Sequence, residues 1–265
     1  MTTRFSYMVI DTPTMFADEA STRSCFELVK SCGYEGLELN ITPALLEKQE
    51  LLGSLVEEFE LPIPSFLTGT VYSPGMCLSS PDDDSRQKAI EWLIKYLDLG
   101  ERFDAILVVG LLQGLTRDEP DTEKGLSRII TSMKEVAAQA EQRGVQMVME
   151  PINHLQVGFN NSVGEVRQLV QDVGSPALKP MVDTIHMNIE DQSITQPIFD
   201  CGDDLAHVHL CESNGGPFGG GHIDFAAALA ALDQICYDGY ASVKIYRKAS
   251  MPEAARSSID YLRRL

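Results

Sequence analysis

The stretch VQMVME, residues 145–150, decides the fold because it is a short, mostly apolar run that ends on a carboxylate. Side chains alternate between the two faces of a strand, so Met147 and Met149 can face covering helices while Val148 and Glu150 face the other way. Apolar side chains on both faces are typical of a parallel strand that is buried on both sides. We therefore predict a buried parallel strand with Glu150 at its carboxyl end.

Comparable runs recur along the whole chain. They occupy residues 5–10, 36–40, 63–69, 105–110, 179–184, 206–211 and 241–246. Amphipathic spacing between these runs predicts helices over 19–32, 44–59, 84–101, 122–143, 162–173, 224–236 and from about 252 onward, with 190–203 the weakest pattern. Eight strands that alternate with helices, without a Pro/Gly/Ser-rich linker, favour an α/β fold built as a single (β/α)8 TIM barrel over residues 1–265. The alternative is an open doubly wound sheet, but no G-x-G-x-x-G follows the first strand.

Composition narrows the class of partner. The 265 residues carry a net charge of −18, which repels nucleic acid phosphates and anionic membranes and favours a small-molecule partner. No apolar run approaches the roughly 18 residues of a membrane span, and the N-terminal residues lack the pattern of a signal peptide. Six scattered cysteines without a CxxC pair indicate reduced thiols. We therefore expect a cytoplasmic protein that binds neither nucleic acid nor membranes.

Polar side chains gather at the ends of the later strands. The active sites of these barrels lie at the carboxyl ends of the strands, in the opening that we call the mouth. Alternation along the strands directs Glu150, Asp183, His209 and Lys244 into this mouth. All five histidines lie in the second half of the chain, and His186 follows the sixth strand. Carboxylate and imidazole ligands suit a divalent metal such as Mn²⁺, Mg²⁺ or Co²⁺. The alternative is an ion-pair network under the barrel rim.

Five motifs carry a family resemblance. They read GYEGLELN (33–40), MEPINH (149–154), VDTIHMNIED (182–191), HVHLCESN (207–214) and GGGHIDF (219–225). In this order they resemble the xylose-isomerase-like barrels of sugar isomerases and epimerases, in particular the D-tagatose 3-epimerase and hydroxypyruvate isomerase group. The resemblance implies a sugar or keto-sugar isomerase, epimerase or related lyase that removes a proton next to a carbonyl, with metal-assisted enediolate stabilisation. It also implies a homo-oligomer, a dimer or tetramer.

The resemblance assigns roles to individual residues. In these epimerases a Glu, an Asp, a His and a second Glu hold the metal, and the first three match Glu150, Asp183 and His209. The two glutamates also act as the acid/base pair, and a histidine that matches His186 binds substrate. The position of the second glutamate is Lys244 in this chain. The implied catalytic residues are therefore Glu150, His186 and Lys244.

Further polar residues follow strands five and seven. The candidate substrate contacts are Asn153, His154, Gln156, Glu212 and His222. Loop capping is the alternative for each of them. His154, Gln156 and Gly215 depart from the residues that ketose epimerases usually carry, so the ketohexose site is not preserved. The glycine-rich run GGPFGGG (215–221) lacks the Lys-Ser/Thr of a phosphate-binding loop and is interpreted as a substrate-covering loop.

Lys244 leaves three interpretations open. A dication about 4 Å from an ammonium is repelled by roughly 8 kcal/mol at an effective dielectric near 20. In the first interpretation, the metal remains and Lys244 is the acid or base opposite Glu150. In the second, Lys244 replaces the metal and either stabilises the enediolate electrostatically or forms a Schiff base with a ketose. In the third, the Lys–Glu pair is structural and the protein is a non-catalytic or impaired sugar-binding barrel; an introduced glutamate-to-lysine change would look the same. A nuclease of the same superfamily is disfavoured, because the first half has no histidine and the charge is −18.

Overall fold

Eight parallel strands form the centre of the molecule. The computed structural model describes residues 3–10, 12–247 and 250–265. The strands, β1 to β8, close into a barrel in chain order, so the predicted (β/α)8 fold is confirmed. They are Arg4–Val9, Gly36–Asn40, Ser65–Leu67, Ile106–Val109, Met147–Met149, Leu178–Asp183, His207–Leu210 and Tyr240–Val243.

Helices connect the strands and cover the barrel. The helices α1 to α11 are Thr12–Met15, Glu19–Cys32, Pro43–Glu47, Gln49–Phe59, Asp83–Phe103, Thr122–Arg143, Val163–Val173, Thr184–Glu190, Gln196–Cys201, Phe225–Gln234 and Met251–Leu262. Several begin at a side chain that caps the helix. Asp121 accepts the Lys124 N–H at 3.2 Å at the start of α6, and Asp224 accepts the Ala227 N–H at 2.9 Å at the start of α10. Ser162 forms a capping box with Glu165 at the start of α7.

Three segments differ from the prediction in detail. The helix expected over 44–59 is divided into α3 and α4 at Lys48, whose φ of −111° and ψ of 26° leave the helical region. The segment 190–203 does not form one long helix: Glu190 ends α8, α9 is short, and a one-turn 3₁₀ helix spans Gly202–Asp204. His186 follows the sixth strand, where the sequence predicts no helix, but it lies in α8, because Asp183 caps that helix by accepting the Ile185 N–H at 3.0 Å.

The core has two apolar layers separated by the barrel wall. Met147 and Met149 belong to the large cluster between the strands and the helices. Val148 instead packs with Val108 and Met181 in a separate cluster inside the barrel. This division confirms the alternation predicted for the β5 stretch, and it places Glu150 on the interior side.

The barrel wall sets the depth of the polar residues. Asp183 and His209 are register partners on β6 and β7. Glu150 and Lys244 lie one residue beyond β5 and β8, but their backbone N–H groups still donate to neighbouring strands, to Val109 and Leu210, at 2.9 Å each. Four side chains from four strands are therefore held at the same end of the barrel. Within the described ranges no helix is both long and apolar enough to cross a membrane, and all six cysteines are free thiols.

Candidate active site

A buried cluster of opposite charges occupies the carboxyl end of the barrel. The Lys244 Nζ lies 2.6 Å from Asp183 Oδ2 and 3.0 Å from Glu150 Oε1. His209 Nδ1 lies 3.1 Å from the same Glu150 oxygen and 3.3 Å from the same Asp183 oxygen. All four residues are at most 4% exposed. The four residues that the sequence directs into one mouth therefore meet there.

Mutual charge sets the protonation states of this cluster. Burial is the largest single effect and opposes the charged forms of Glu150 and Asp183, but Lys244, His209 and His186 together outweigh it and hold the pKa of both carboxyls below their usual range. Burial also opposes the charged form of Lys244, and Asp183 and Glu150 reverse that effect and raise its pKa well above the ordinary value. At neutral pH the carboxylates are ionised and Lys244 is an ammonium.

A third carboxylate supports the cluster from deeper in the barrel. Glu38, on β2, accepts from His209 Nε2 at 3.0 Å and from His207 Nε2 at 3.2 Å. Both ring nitrogens of His209 thus face carboxylate oxygens, which accept but do not donate. Burial lowers the pKa of His209, but Glu38 and the hydrogen bonds to Asp183 and Glu150 outweigh it and raise that pKa well above its ordinary value. His209 is an imidazolium in this arrangement.

Sequence reasoning missed Glu38 as part of the site. The signal was present: an acidic residue sits at an inward position of the apolar strand GLELN, between the outward-facing Leu37 and Leu39. Glu38 is fully buried, and its Oε2 has no hydrogen-bond partner in the part of the chain that the structure describes. A buried carboxylate needs an opposite charge or hydrogen-bond donors, and here Glu38 balances the charge of His209.

His186 presents a defined nitrogen to the mouth. Its Nδ1 receives the Asn153 side-chain amide at 2.7 Å and faces the Asn153 backbone N–H at 3.4 Å. Asn153 Oδ1 accepts the Leu155 N–H, which orients the amide nitrogen toward the ring. Burial lowers the pKa of His186 and favours the neutral ring. Because Nδ1 accepts from Asn153, the proton of the neutral ring is on Nε2. That Nε2 lies 3.7 Å from Asp183 Oδ2 and 3.9 Å from Glu150 Oε1.

A cavity of about 310 Å³ opens directly onto the cluster. Its polar wall includes Glu150, His186, Lys244 and Gln156, and its other walls are mainly apolar, from Met8, Ile10, Leu67, Val108, Leu111 and Ile152. Gly110 also lines it, where a Cβ atom would come within 2.4 Å of Glu150 Oε2. The glycine therefore leaves room for the second carboxylate oxygen.

A larger cavity of about 680 Å³ lies between β1, α2 and α11. Tyr7, Cys25 and Arg256 line it, and it shares Met8 and Ile10 with the smaller cavity. It contains none of the charged cluster at the mouth. The smaller cavity is therefore the candidate reaction site.

The remaining predicted substrate contacts lie on the rim. Glu212 accepts the backbone N–H groups of Ser213, Gly219 and Ile223 at 2.8, 3.2 and 3.1 Å. His222 is exposed and contacts Ser213 Oγ and Asn188 Oδ1 at 3.1 Å each. These contacts match loop capping, the alternative that the sequence left open.

His154 also lies on the rim, where its exposed ring pairs with Glu190 at 2.5 Å. Of the predicted substrate contacts, Gln156 lines the cavity. Asn153 acts through His186.

Two groups of side chains have ligand atoms close enough to hold a metal ion. They are Glu38, His207 and His209, and Glu150, Asp183 and His186. The predicted donors are thus brought together at the mouth. However, Lys244 Nζ holds the two oxygen atoms that a dication would use, and His209 faces carboxylates with both nitrogens. A resident dication does not fit this arrangement while Lys244 keeps its position.

A known protein family matches this chain over most of the barrel, including the charged cluster at its carboxyl end. The family model described as xylose isomerase-like TIM barrel matches residues 26–265. The chain belongs to this family. Its match covers all strands from β2 to β8, and so all members of the charged cluster lie inside it.

Several relatives of this xylose isomerase-like chain are sugar epimerases. The chain is 30% identical to the D-psicose 3-epimerase of Ruminiclostridium cellulolyticum over 225 residues, which are 83% of this chain and 77% of that enzyme. It is 33% identical to the ketose 3-epimerase of Arthrobacter globiformis over 121 residues, 46% of this chain. That alignment spans 42% of the Arthrobacter enzyme, less than half of its length.

A solved structure confirms the family's fold over almost the whole chain. The D-allulose 3-epimerase from Methylomonas sp., crystallised with D-allulose, superposes with a TM-score of 0.86. The match covers 99% of this chain and 97% of that one at 21% identity. A likeness at this identity shows the fold alone. The chemistry depends on the side chains at the carboxyl end of this barrel.

Proposed function

We propose that this protein is a sugar epimerase or isomerase that moves a proton at the carbon next to a carbonyl of a keto-sugar. One observation carries the proposal: a carboxylate, an ammonium and an imidazole N–H face a single small cavity. Glu150, Lys244 and His186 supply these groups, and each is at most 4% exposed. Such a set provides a base, a fixed positive charge and a hydrogen-bond donor.

Glu150 is the proposed base. Its Oε1 is held by Lys244 and His209, while Oε2 lies beside Gly110 at the cavity wall. Oε2 takes the proton from carbon, the C–H electron pair forms a C=C bond, and the carbonyl π pair moves onto oxygen. The resulting enolate oxygen is stabilised by Lys244. Delivery of a proton from solvent to the opposite face of the same carbon gives epimerisation, and Glu150 releases the proton that it removed to solvent. Return of the proton by Glu150 to the former carbonyl carbon, with transfer of the neighbouring hydroxyl proton to the former carbonyl oxygen, gives isomerisation.

His186 is the proposed substrate-orienting group. Asn153 fixes its tautomer, so that Nε2–H points toward Glu150 and Asp183 at the cavity. This N–H can donate to a hydroxyl or to the developing oxyanion. A buried donor of fixed direction strengthens as negative charge appears on its partner.

The substrate class rests on the cavity and on the relatives. A volume of about 310 Å³ lies near the lower end of small-molecule sites, which suits a single sugar ring or open-chain ketose. The D-psicose and ketose 3-epimerases above act on ketoses by their descriptions. The family also predicts a divalent metal, Mn²⁺, Mg²⁺ or Co²⁺; because such an ion does not fit beside Lys244, no step above uses one. A homo-oligomer and a cytoplasmic location remain predictions.

A panel of keto-sugars tests this function. Wild-type protein is incubated with ketopentoses, ketohexoses and keto-glycosides, and products are followed by proton NMR. We expect a C-epimer or a positional isomer of at least one member, with no product from folded Glu150→Gln protein. Binding of panel members by calorimetry without any conversion would instead favour a sugar-binding barrel.

A further inference from the structure

We infer that Lys244 is the built-in cation of this site and takes the place of a resident divalent metal. The inference rests on the proposed function only for what the charge does in catalysis. Its statement about metal binding stands on the geometry of the mouth alone. Lys244 would thereby be a catalytic residue that contacts the substrate oxygen.

The first support is the position of the ammonium. Nζ lies between Asp183 Oδ2 and Glu150 Oε1, at 2.6 and 3.0 Å, so one cation bridges the two carboxylates. The residue is 4% exposed and its backbone N–H is bonded to Leu210 O, so its stem is fixed by the barrel. The Tyr246 ring flanks Nζ at 5.2 Å from its centroid. A dication bound to the same two oxygens would be in close repulsive contact with this ammonium.

The second support is the state of the other ligand atoms. His209 Nδ1 faces Glu150 and Asp183, and its Nε2 faces Glu38 at 3.0 Å. Its two nitrogens are therefore engaged with carboxylates instead of being directed at a vacant point. The mouth is a closed set of hydrogen bonds among charged side chains, and of these Glu150 and Lys244 line the cavity.

The chemistry follows from this position. Two N–H groups of Lys244 serve the carboxylates, and the third, which lies beside Tyr246, would turn to the oxygen of the substrate carbonyl. When Glu150 removes the α-proton, the electron pair released ends on that oxygen, and the ammonium N–H stabilises it. The step forms no covalent bond to Lys244, because the nitrogen acts on the substrate oxygen only through its N–H.

Metal binding tests the inference without reference to activity. Wild type, Lys244→Glu and the charge-conserving control Lys244→Arg are stripped with chelator and titrated with Mn²⁺ by calorimetry. Metal content is measured in parallel by mass spectrometry on protein as purified. We expect substoichiometric metal in wild type and Lys244→Arg, and about one Mn²⁺ per chain in Lys244→Glu, bound at least about 100-fold more tightly, because the substitution replaces a repelling charge by a ligand.

A melting series keeps the test decisive if Lys244→Glu does not fold. The wild-type melting temperature should be the same in Mn²⁺ and in chelator, because only a ligand that binds the folded state raises it. Stoichiometric metal in purified wild type, or a rise of its melting temperature with Mn²⁺, would overturn the inference. Trapping of a sugar on Lys244 by borohydride would overturn the non-covalent role.

The two proposals fail separately. Metal-free wild type that converts a keto-sugar supports both. Metal-free wild type that converts nothing keeps the assignment of Lys244 as the resident cation and removes the proposed function. Metal-loaded, active wild type removes the assignment of Lys244 and keeps the proposed function.

Discussion

Glu150 and Glu212 are two buried glutamates that follow strands of the same barrel, and their surroundings give them different uses. Glu150 comes directly after β5 and is 4% exposed; Glu212 comes two residues after β7 and is 1% exposed. Glu150 faces the side chains of Lys244 and His209 at the cavity. Glu212 accepts backbone N–H groups of its own loop, from Ser213 to Ile223.

The partners of a buried carboxylate distinguish a catalytic role from a structural role in this barrel. A carboxylate whose partners are charged side chains can change its proton without breaking hydrogen bonds to the backbone. A carboxylate whose partners are backbone N–H groups holds a loop in shape, and protonation would release it. None of residues 212–223, all of them described, lines the smaller cavity.

The largest expected effect is on catalysis at Glu150. Glu150→Gln keeps the size and the hydrogen-bonding capacity but removes the base, so kcat should fall by about 10³-fold. Steady-state kinetics with a keto-sugar substrate measures this, and circular dichroism checks the fold. A folded Glu150→Gln protein with unchanged kcat would refute the role of Glu150.

The largest expected effect on stability is at Lys244. Lys244→Met removes the ammonium that bridges the buried Glu150 and Asp183 and leaves two carboxylates facing His209, which should cost about 3–5 kcal/mol in the free energy of unfolding at neutral pH. Urea denaturation measures it. A cost near zero would show that the ion pairs contribute nothing.

The pH dependence of this cost has a defined sign. The pKa of both carboxyls is lowered and that of Lys244 is raised in the folded protein. The carboxylate contribution is therefore present above about pH 4 and lost below it, and the Lys244 contribution is present below about pH 10 and lost above it. In Lys244→Met the unpaired carboxyls prefer to bind protons, so the gap to wild type should narrow as pH falls toward about 4. A gap that widens toward acid would contradict the assignment.

A glutamate-to-glutamine change at Glu212, in contrast to that at Glu150, should lower the stability and leave the reaction rate unchanged. Glu212→Gln places an amide N–H against one of the backbone N–H groups, which should cost about 1–3 kcal/mol. The kcat should stay close to that of wild type, because Glu212 does not line the cavity. Loss of kcat equal to that of Glu150→Gln would erase the distinction between the two regions.

The smallest expected effect is at His222. His222→Ala removes two surface hydrogen bonds, to Ser213 and Asn188, and should change the free energy of unfolding by about 0.5 kcal/mol or less. Thermal melting measures this. A large loss of substrate affinity without loss of stability would instead restore His222 as a substrate contact.

The barrel and its polar mouth could be predicted because both depend on local periodicity. The alternation in VQMVME fixes which side of β5 faces inward, and parallel strands bring Glu150, Asp183 and Lys244 to one end. The partners of each residue could not be predicted, since they depend on distances across the barrel. Glu38 was missed for this reason, although it lies only 3.0 Å from His209 Nε2.

The loop after β7 shows a second limit of the sequence. Glu212 and His222 have residue types typical of a sugar site, but Glu212 accepts backbone N–H groups of its own loop, and His222 contacts Ser213 and Asn188. The geometry of such a run depends on backbone conformation, which residue type constrains least at glycine.

Solvent-deuterium incorporation by metal-stripped wild type tests the central claim most directly. The protein is treated with chelator, placed in D₂O with a keto-sugar, and deuterium is followed by NMR at the carbon next to the carbonyl. We predict incorporation that needs Glu150 and that added Mn²⁺ does not accelerate. Exchange that stops on chelation and returns with Mn²⁺ would contradict the account, because Lys244 would then not be the cation that stabilises the enolate.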